Sequence, residues 1–216
     1  MSLFAKEGNF LTQLSPTFNC ALVFLCLDGN LLRVKLSALM RAATKSVLIS
    51  QQQIQNRVAE MGREISRDYT GKALTVIGVL KGSFMFVADL IRQIDPAIPV
   101  EVDFISASSY GNSTLSSGEV RIVKDIGIRI EGKDVLLIED IVDSGRTLSQ
   151  VKTNLAGRGA RSVRIAALLE KPESRKYSGD LHYVGFRIPN HFVVGYGLDY
   201  AERYRNLSEI RVLDET

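Results

Sequence analysis

Hydrophobic positions from residue 50 onward follow two spacings, one typical of amphipathic helices and one typical of buried strands. Ser50 and Gln53 form a potential capping box, and apolar residues then recur at helical spacing from Ile54 to Ile65. This pattern predicts an amphipathic helix that ends near residues 69–71. The run TVIGVL at 75–80 is short, apolar and rich in β-branched residues, which indicates a strand covered on both faces.

The same rhythm continues along the rest of the chain. It predicts further helices over 84–94 and about 147–158, and further strands over 100–107, 120–125, 135–138, 162–169 and 192–194. Strands that alternate with helices in this way are typical of an α/β fold with a mostly parallel central sheet flanked by helices. Ligands of such folds bind at the carboxyl ends of the strands, so the loops after the strands are the places to search for chemistry.

The first 40 residues differ from the rest, because they show no strong periodicity and contain both cysteines, Cys20 and Cys26. One interpretation is an extension over 1–40 with little fold of its own, followed by a domain over 41–216. The alternative is a small N-terminal packing element with a strand over 21–27. Limited proteolysis would separate the two, since a packed element resists digestion and a tail does not.

Composition excludes several classes of protein but does not indicate a function. The chain has 216 residues, 45% hydrophobic and 24% charged, which excludes a disordered or collagen-like protein. A net charge of +3 is too small to indicate a nucleic-acid or membrane partner. The longest apolar run, 20–27, is far shorter than the roughly 20 residues of a membrane-spanning helix. With few cysteines, these features favour a cytoplasmic protein.

The segment VLLIEDIVDSGRTL at 135–148 carries the clearest chemical signal. A buried strand is followed by two carboxylates, Glu139 and Asp140, and then by a loop that leads into a helix. In that loop Gly145 permits a tight turn, hydroxyls and a guanidinium supply donors, and the helix start supplies amides, a combination suited to a phosphate group. The carboxylates could bind sugar hydroxyls or Mg²⁺. The chain lacks Gly-Lys-Ser/Thr and G-x-G-x-x-G, which argues against Walker A and dinucleotide sites.

This segment resembles the phosphoribosyl-diphosphate signature of the type I phosphoribosyltransferases. Flanking motifs narrow the resemblance to the hypoxanthine-guanine branch of that family, and the likeness runs from about residue 45 to 210. The motifs are VLKGSFMF at 79–86, SSYGNST at 108–114, ALLEKPES at 167–174 and FVVGYGLDYAERYRN at 192–206.

The resemblance implies a fold, an activity and a cofactor. The fold would be that of the type I phosphoribosyltransferases, with a small hood built from terminal segments on the central sheet. The reaction would transfer the 5-phosphoribosyl group from phosphoribosyl diphosphate to hypoxanthine, and also to guanine, with release of diphosphate. Mg²⁺ would be the cofactor, and the chain would form a homodimer or homotetramer that serves purine salvage without nucleic-acid or membrane partners.

The resemblance also implies roles for individual residues. Asp143 would be the acid/base that exchanges a proton with purine N7, and its pKa is expected to be raised by nearby phosphate charge. Metal ligands would be Glu139, Asp140 and Asp199. The phosphoribosyl group would contact Glu139, Asp140, Asp143, Ser144, Gly145, Arg146 and Thr147. The diphosphate would contact Lys81, Gly82, Ser109, Tyr110 and Arg205, with the stretch 108–119 closing over the site. The purine would contact Lys171, Phe192, Val193 and Asp199.

Two alternatives stay open from the sequence. A regulatory protein of the same fold could bind nucleotide or RNA without turnover, although Asp143, Lys171 and the closing stretch are all present here. A relative that prefers xanthine or adenine would share most of the same motifs. Kinetics on four purines would discriminate among these possibilities.

Overall fold

The structure of the chain is a computed structural model that describes residues 10–11, 22–27, 30–35, 44–109 and 120–213. Its helices are α1 Gln51–Asp68, α2 Phe84–Ile91 and α3 Arg146–Gly157. Its strands are β1 Phe10–Leu11, β2 Leu22–Leu27, β3 Asn30–Lys35, β4 Thr44–Ile49, β5 Leu74–Leu80, β6 Val100–Ser109, β7 Val120–Lys124, β8 Asp134–Val142, β9 Ser162–Glu170, β10 Tyr183–Arg187, β11 Val193–Val194 and β12 Ile210–Leu213.

Six of these strands form the central sheet, in the order β10-β9-β8-β5-β6-β7. All neighbours are parallel except β6 and β7, which are antiparallel. The predicted α/β fold with a mostly parallel sheet is therefore confirmed. The strand order also brings the carboxyl ends of β5, β8 and β9 side by side, and the loops that follow them meet at one edge of the sheet.

The two faces of the sheet are each covered by helices. Leu136 and Ile138 of β8 belong to one apolar cluster together with residues of α1 and α2. Val135 and Leu137, which alternate with them along the strand, belong to a second cluster with α3. Burial on both faces explains why β8 lacks the alternation of polar and apolar residues seen in half-exposed strands.

Local signals at the start of α1 agree with the structure. The Gln53 N–H donates to the Ser50 hydroxyl at 3.3 Å, and the Ser50 N–H donates to the Gln53 side chain at 2.9 Å. This reciprocal pair is the predicted capping box, which satisfies amide groups that a helix start leaves without intrahelical partners. The apolar face of α1, which includes Ile54 and Ile65, is buried as the spacing predicts.

Two sequence-based bounds were wrong by several residues. Helix α2 ends at Ile91 and residues 92–94 form a turn, so the predicted end at 94 is too late. Strand β8 continues to Val142, beyond the predicted end at 138, because its parallel pairing with β9 extends to Glu170. The acids Glu139 and Asp140 therefore lie within the strand and not after it.

One strand of the parallel sheet was not predicted. The predicted strand at 192–194 is present as β11, but β10, which pairs with β9 at the edge of the parallel sheet, was missed. The segment YVGFR of β10 is short and contains a glycine, so its local signal is weak. Gly185 is needed there, because a Cβ at this position would lie 2.4 Å from the Leu168 carbonyl oxygen.

Strand β11 instead joins a second, antiparallel sheet in the order β11-β12-β4. This small sheet combines residues 44–49 and 210–213, from the two ends of the described domain, and corresponds to the predicted hood. Its buried residues Ile49 and Ile210 belong to the same apolar cluster as α1, which fixes the hood to the central sheet.

The N-terminal segment contributes a separate three-stranded sheet in the order β1-β2-β3. Strands β2 and β3 form an antiparallel hairpin in which Leu22 pairs with Lys35 and Leu27 with Asn30. A strand at 22–27 matches the packing-element alternative, while a domain boundary at 40/41 stays a prediction. None of the helices within the described residues is long and apolar enough to cross a membrane.

Candidate active site

A cleft of about 360 Å³ lies at the carboxyl edge of the central sheet. Four parts of the chain build it: the β5–α2 turn, the end of β6, the acidic end of β8 with the start of α3, and the turn segment 195–206. The lining residues are Val79, Leu80, Lys81, Gly82, Ser106, Ala107, Glu139, Asp140, Thr147, Asp199, Glu202 and Arg205. Six of the twelve residues predicted to bind phosphoribosyl diphosphate therefore line one cavity, namely Lys81, Gly82, Glu139, Asp140, Thr147 and Arg205.

The acidic pair at the end of β8 is strongly shielded from water. Glu139 is buried, and its Oε2 atom has no hydrogen-bond partner. Burial, reinforced by the charge of Asp140, raises the pKa of Glu139 well above its usual range. Burial also raises the pKa of Asp140 to about 6, although backbone N–H groups and Arg205 act in the opposite direction. Neither carboxylate forms a direct ion pair with a described residue, so the pair is suited to a cation or to sugar hydroxyls.

The raised pKa of Asp140 makes a prediction for stability. The folded-state pKa of about 6 exceeds the unfolded value of 3.8, so this group favours folding fully only below pH 4 and loses that contribution as pH rises to 6. Asp140→Asn removes the charge that burial penalises. Without divalent cations, the substitution should therefore increase the free energy of unfolding by about 2 kcal/mol more at pH 7 than at pH 4, with partial screening by solvent taken into account.

Urea unfolding of both proteins at pH 4 and pH 7 measures this difference. Glu131→Gln, which neutralises an exposed acid just before β8, is the matched control and should show no such pH dependence. An equal effect of Asp140→Asn at the two pH values would contradict the prediction.

The loop before α3 has the geometry expected of a phosphate-binding turn. Gly145 has a φ of 73°, a conformation that glycine adopts readily, and it directly precedes the helix. No side chain of the described residues caps α3, and the Arg146 N–H makes only a long contact of 3.5 Å with the Ser144 hydroxyl. The amides of the first turn therefore point to a site that an anion could occupy, with Thr147 facing the cleft.

Residues 176–177 support this loop through backbone hydrogen bonds and side-chain packing. The Ser144 carbonyl accepts hydrogen bonds from the N–H groups of Lys176 and Tyr177, at 3.0 and 3.1 Å. The Tyr177 side chain packs over Gly145, where a Cβ would lie only 2.4 Å from the Tyr177 Cβ. The Tyr177 hydroxyl in turn accepts a hydrogen bond from Lys152 of α3 at 3.1 Å. The sequence analysis did not identify Tyr177, because nothing in the local pattern links residues 144 and 177.

Asp143 and Lys171 form an ion pair of 3.1 Å between Oδ2 and Nζ. The Lys171 side chain is only 8% exposed, whereas that of Asp143 is 51% exposed. The Lys171 N–H also donates to the Val142 carbonyl at 2.9 Å, so the lysine is anchored by its backbone next to the acid. A buried lysine paired to a half-exposed aspartate leaves one face of the carboxylate open to a ligand.

The protein groups alone lower the pKa of Asp143, and the rise expected from nearby phosphate charge stays a prediction. Burial acts to raise the pKa of Asp143, but the neighbouring Ser174 hydroxyl and the hydrogen bond and charge of Lys171 outweigh it, so the pKa is lowered. Of these two groups, Lys171 is the one with a well-formed hydrogen bond to Asp143, because no hydrogen bond of normal geometry reaches the Ser174 hydroxyl. The carboxylate is therefore ionised at neutral pH and can accept a proton.

Four charged side chains form a network across the cleft. Arg205 Nη2 lies 2.8 Å from Asp199 Oδ1 and 3.1 Å from Glu202 Oε2, and Lys81 Nζ lies 2.9 Å from Glu202 Oε1. Lys81 follows a cis peptide bond with Leu80. The predicted diphosphate ligands Lys81 and Arg205 are thus brought together, whereas Glu202 was not among the predicted residues.

Two of the predicted purine ligands, Phe192 and Val193, lie at the edge of the hood, whereas Asp199 lies in the cleft beside Arg205. The Phe192 ring is 39% exposed and contacts Tyr200 edge-on, with ring centroids 5.6 Å apart. Val193 is buried and pairs with Val212 in the hood sheet. An exposed aromatic ring that precedes a buried strand could stack on a planar base.

Two predicted residues near the closing stretch are less well defined. Ser109 ends β6, where it pairs with Val120. Tyr110 lies outside the described residues, so its role in closing the site stays a prediction.

The predicted metal ligands do not make a complete site by themselves. Across residues 44–109 and 120–213, no cluster of three or more His, Cys, Asp or Glu side chains is arranged to hold a metal ion. Asp199 is paired with Arg205, while Glu139 and Asp140 lie in β8. Mg²⁺ commonly takes only one or two protein carboxylates and completes its shell with water and substrate oxygens. The unpartnered Glu139 Oε2 and the oxygens of Asp140 fit that kind of site.

Comparison with known proteins agrees with this geometry. Residues 48–201 match the family model described as the phosphoribosyl transferase domain. A hypoxanthine-guanine phosphoribosyltransferase of Bacillus subtilis is 51% identical over 175 residues, which cover 81% of this chain and 96% of the relative. A crystal structure of a hypoxanthine phosphoribosyltransferase from Staphylococcus aureus superimposes with a TM-score of 0.78 at 47% identity, and the match covers 83% of this chain and 96% of that chain.

A longer relative shows that this domain also occurs in larger proteins. The bifunctional protein TilS/HprT of Listeria innocua is 52% identical over 169 residues, which cover 78% of this chain. The match covers only 26% of that relative, so the chain corresponds to about a quarter of its length. Since the family model matches residues 48–201 and the shorter relatives are about half identical over most of this chain, the chain belongs to the phosphoribosyl transferase domain family.

Proposed function

We propose that this chain transfers the 5-phosphoribosyl group of phosphoribosyl diphosphate to hypoxanthine, and also to guanine, forming IMP or GMP and diphosphate. The observation that carries the proposal is the ion pair between buried Lys171 and half-exposed Asp143, next to a glycine-containing loop at a helix start. This arrangement offers a donor and a proton acceptor to a base beside an anchor for a phosphate. The names of the relatives support the same reaction.

The phosphate end of the substrate would be fixed by the loop 143–147. Amides at the start of α3 and the hydroxyls of Ser144 and Thr147 supply neutral donors, and Arg146 adds positive charge. Because Tyr177 and Lys176 hold the loop from behind, the donors are in place before a ligand arrives. Such preorganised positioning is a major part of catalysis for a reaction without a covalent intermediate.

The purine end would be selected by Lys171. Its ammonium group can only donate hydrogen bonds, so it suits the 6-oxo group of hypoxanthine and guanine. The 6-amino group of adenine is itself a donor and would leave the buried ammonium without a new partner. The ionised Asp143 would take the proton from N7 as N9 bonds to the ribose, with Phe192 stacked on the base and Val193 and Asp199 near its edge.

The acidic residues would serve the sugar and the metal. Glu139 and Asp140 would face the ribose hydroxyls or hold Mg²⁺, with Asp199 as a further ligand near Arg205. When bound, Mg²⁺ would neutralise charge on the departing diphosphate. Lys81, Gly82 and Arg205 would bind that diphosphate directly.

Other parts of the proposal concern the wider context of the reaction. Ser109 and Tyr110 would help the stretch 108–119 to exclude water from the site. The enzyme would act in the cytoplasm as a homodimer or homotetramer, in the salvage of purine bases, without nucleic-acid or membrane partners.

Steady-state kinetics on a panel of purines test the proposal. With phosphoribosyl diphosphate and Mg²⁺, kcat/KM should be highest for hypoxanthine or guanine and at least about 10²-fold lower for adenine, since the buried lysine rejects the amino group. If adenine were the best substrate, the role of Lys171 would be wrong. If none of hypoxanthine, guanine, xanthine and adenine were converted, the regulatory alternative would be favoured.

A further inference from the structure

An acidic side chain lies between the two cations assigned to the diphosphate. Glu202 places Oε1 at 2.9 Å from Lys81 Nζ and Oε2 at 3.1 Å from Arg205 Nη2. Its two oxygens thus bridge cations that come from the β5–α2 turn and from the segment 195–206, which are otherwise far apart in sequence. All three side chains line the same cleft. The carboxylate contacts the same groups that oxygens of a bound diphosphate would contact.

The backbone around Glu202 holds it in this position. Ala201, Glu202 and Tyr204 have φ values of 50°, 62° and 74°, in the left-handed region that residues other than glycine rarely adopt. The Glu202 N–H donates to Asp199 Oδ2 at 2.8 Å, and Tyr200 and Arg203 exchange backbone hydrogen bonds across the turn. These local hydrogen bonds define the turn that places the Glu202 carboxylate at the cleft.

The charges around Glu202 allow it to be displaced. Among the described residues, the Glu202 carboxylate is held only by its ion pairs with Lys81 and Arg205 and by no buried contact. The Glu202 and Lys81 side chains are 64% and 65% exposed, and ion pairs at such exposed positions are weak. A diphosphate group with several negative charges could therefore replace Glu202 on both cations.

We propose that Glu202 sets the affinity of the diphosphate subsite by competing with diphosphate groups for Lys81 and Arg205. This inference rests on the proposed function, because it takes the cleft as the site of phosphoribosyl diphosphate. The carboxylate keeps both cations near each other before the substrate binds. After the reaction it returns to them as diphosphate leaves, which limits inhibition by that product.

Calorimetric titration with inorganic diphosphate in the presence of Mg²⁺ tests the competition directly, using the full chain. At low ionic strength Glu202→Gln should bind diphosphate about three- to tenfold more tightly than the wild type, and product inhibition by diphosphate should strengthen by the same factor. The difference should shrink in 0.5 M salt, as expected for exposed charges. Glu202→Asp should also bind more tightly, because the shorter side chain keeps the charge but cannot bridge both cations.

Glu209→Gln is the matched control, since Glu209 pairs with Arg211 outside the cleft lining and should leave diphosphate binding unchanged. Equal or weaker diphosphate binding by Glu202→Gln would overturn the inference alone, and weaker binding would indicate that Glu202 helps to hold the metal or the cations for the ligand. If the wild type failed to bind diphosphate at all, the proposed function of the cleft would be overturned together with this inference.

Discussion

Replacement of Asp143 by asparagine is expected to lower kcat by about 10²- to 10⁴-fold, the usual range for loss of a general acid or base. The wild-type carboxylate is ionised and half-exposed, and it lies 3.1 Å from the Lys171 ammonium, so it is available to accept the N7 proton. Asparagine has nearly the same shape and can still accept a hydrogen bond from Lys171. The orientation of the lysine should therefore survive while proton transfer is lost.

The split between kinetic parameters identifies the cause. The KM values for both substrates should change by less than about threefold, because binding contacts are retained when only the transition state is affected. Asp180→Asn removes an exposed acid from the β9–β10 connection, which also contains Lys171, and should leave kcat unchanged. A kcat for Asp143→Asn within threefold of wild type would rule out Asp143 as the proton acceptor.

Replacement of Gly82 by alanine is expected to lower kcat/KM for phosphoribosyl diphosphate by about 10²-fold or more. A Cβ on Gly82 would lie 1.6 Å from Asp140 Oδ2, far closer than any normal contact. The clash involves the end of a side chain, so the fold can accommodate it if the Asp140 carboxylate swings away. Displacement of a binding group by about 1 Å can cost 10²-fold in rate. Gly82 also borders Gly197, where a Cβ would lie 2.1 Å from the Gly82 carbonyl oxygen.

Kinetics and thermal unfolding together check this prediction. The midpoint of unfolding should change by only a few degrees, since the buried apolar clusters are untouched. Gly157→Ala is the matched control, because no atom lies within 4 Å of a Cβ built at Gly157, and both activity and stability should be retained. Activity of Gly82→Ala close to that of wild type would show that Asp140 does not need its position beside Gly82.

The parts of the fold that the sequence predicts well depend on local chemistry. The capping box at Ser50 and the glycine turn at Gly145 each involve residues within a few positions of one another. The strands β5 and β8 are evident because burial on both faces requires unbroken apolar runs. The glycine turn at the start of α3 was predicted for the same reason, since its glycine and the helix start lie next to each other in the sequence, while its binding of phosphate stays a prediction.

The features that the sequence did not predict depend on contacts between distant residues. Strand β10 is defined by its pairing with β9, which a five-residue segment with a glycine does not reveal. Glu202 acquires its role only because the 195–206 turn carries it to Lys81, which is 121 positions away. The lowered pKa of Asp143 likewise depends on Lys171, whose distance from it could not be inferred from spacing alone.

The segment 171–177 connects the two ends of the site. Its first residue offers its ammonium to Asp143, and its last two residues donate backbone hydrogen bonds to the Ser144 carbonyl. A single short stretch of chain thus sets the distance between the part of the site that would bind the base and the part that would bind the phosphate of the same nucleotide. Its length is accordingly more constrained than its composition, because an inserted or deleted residue would shift the base relative to the phosphate.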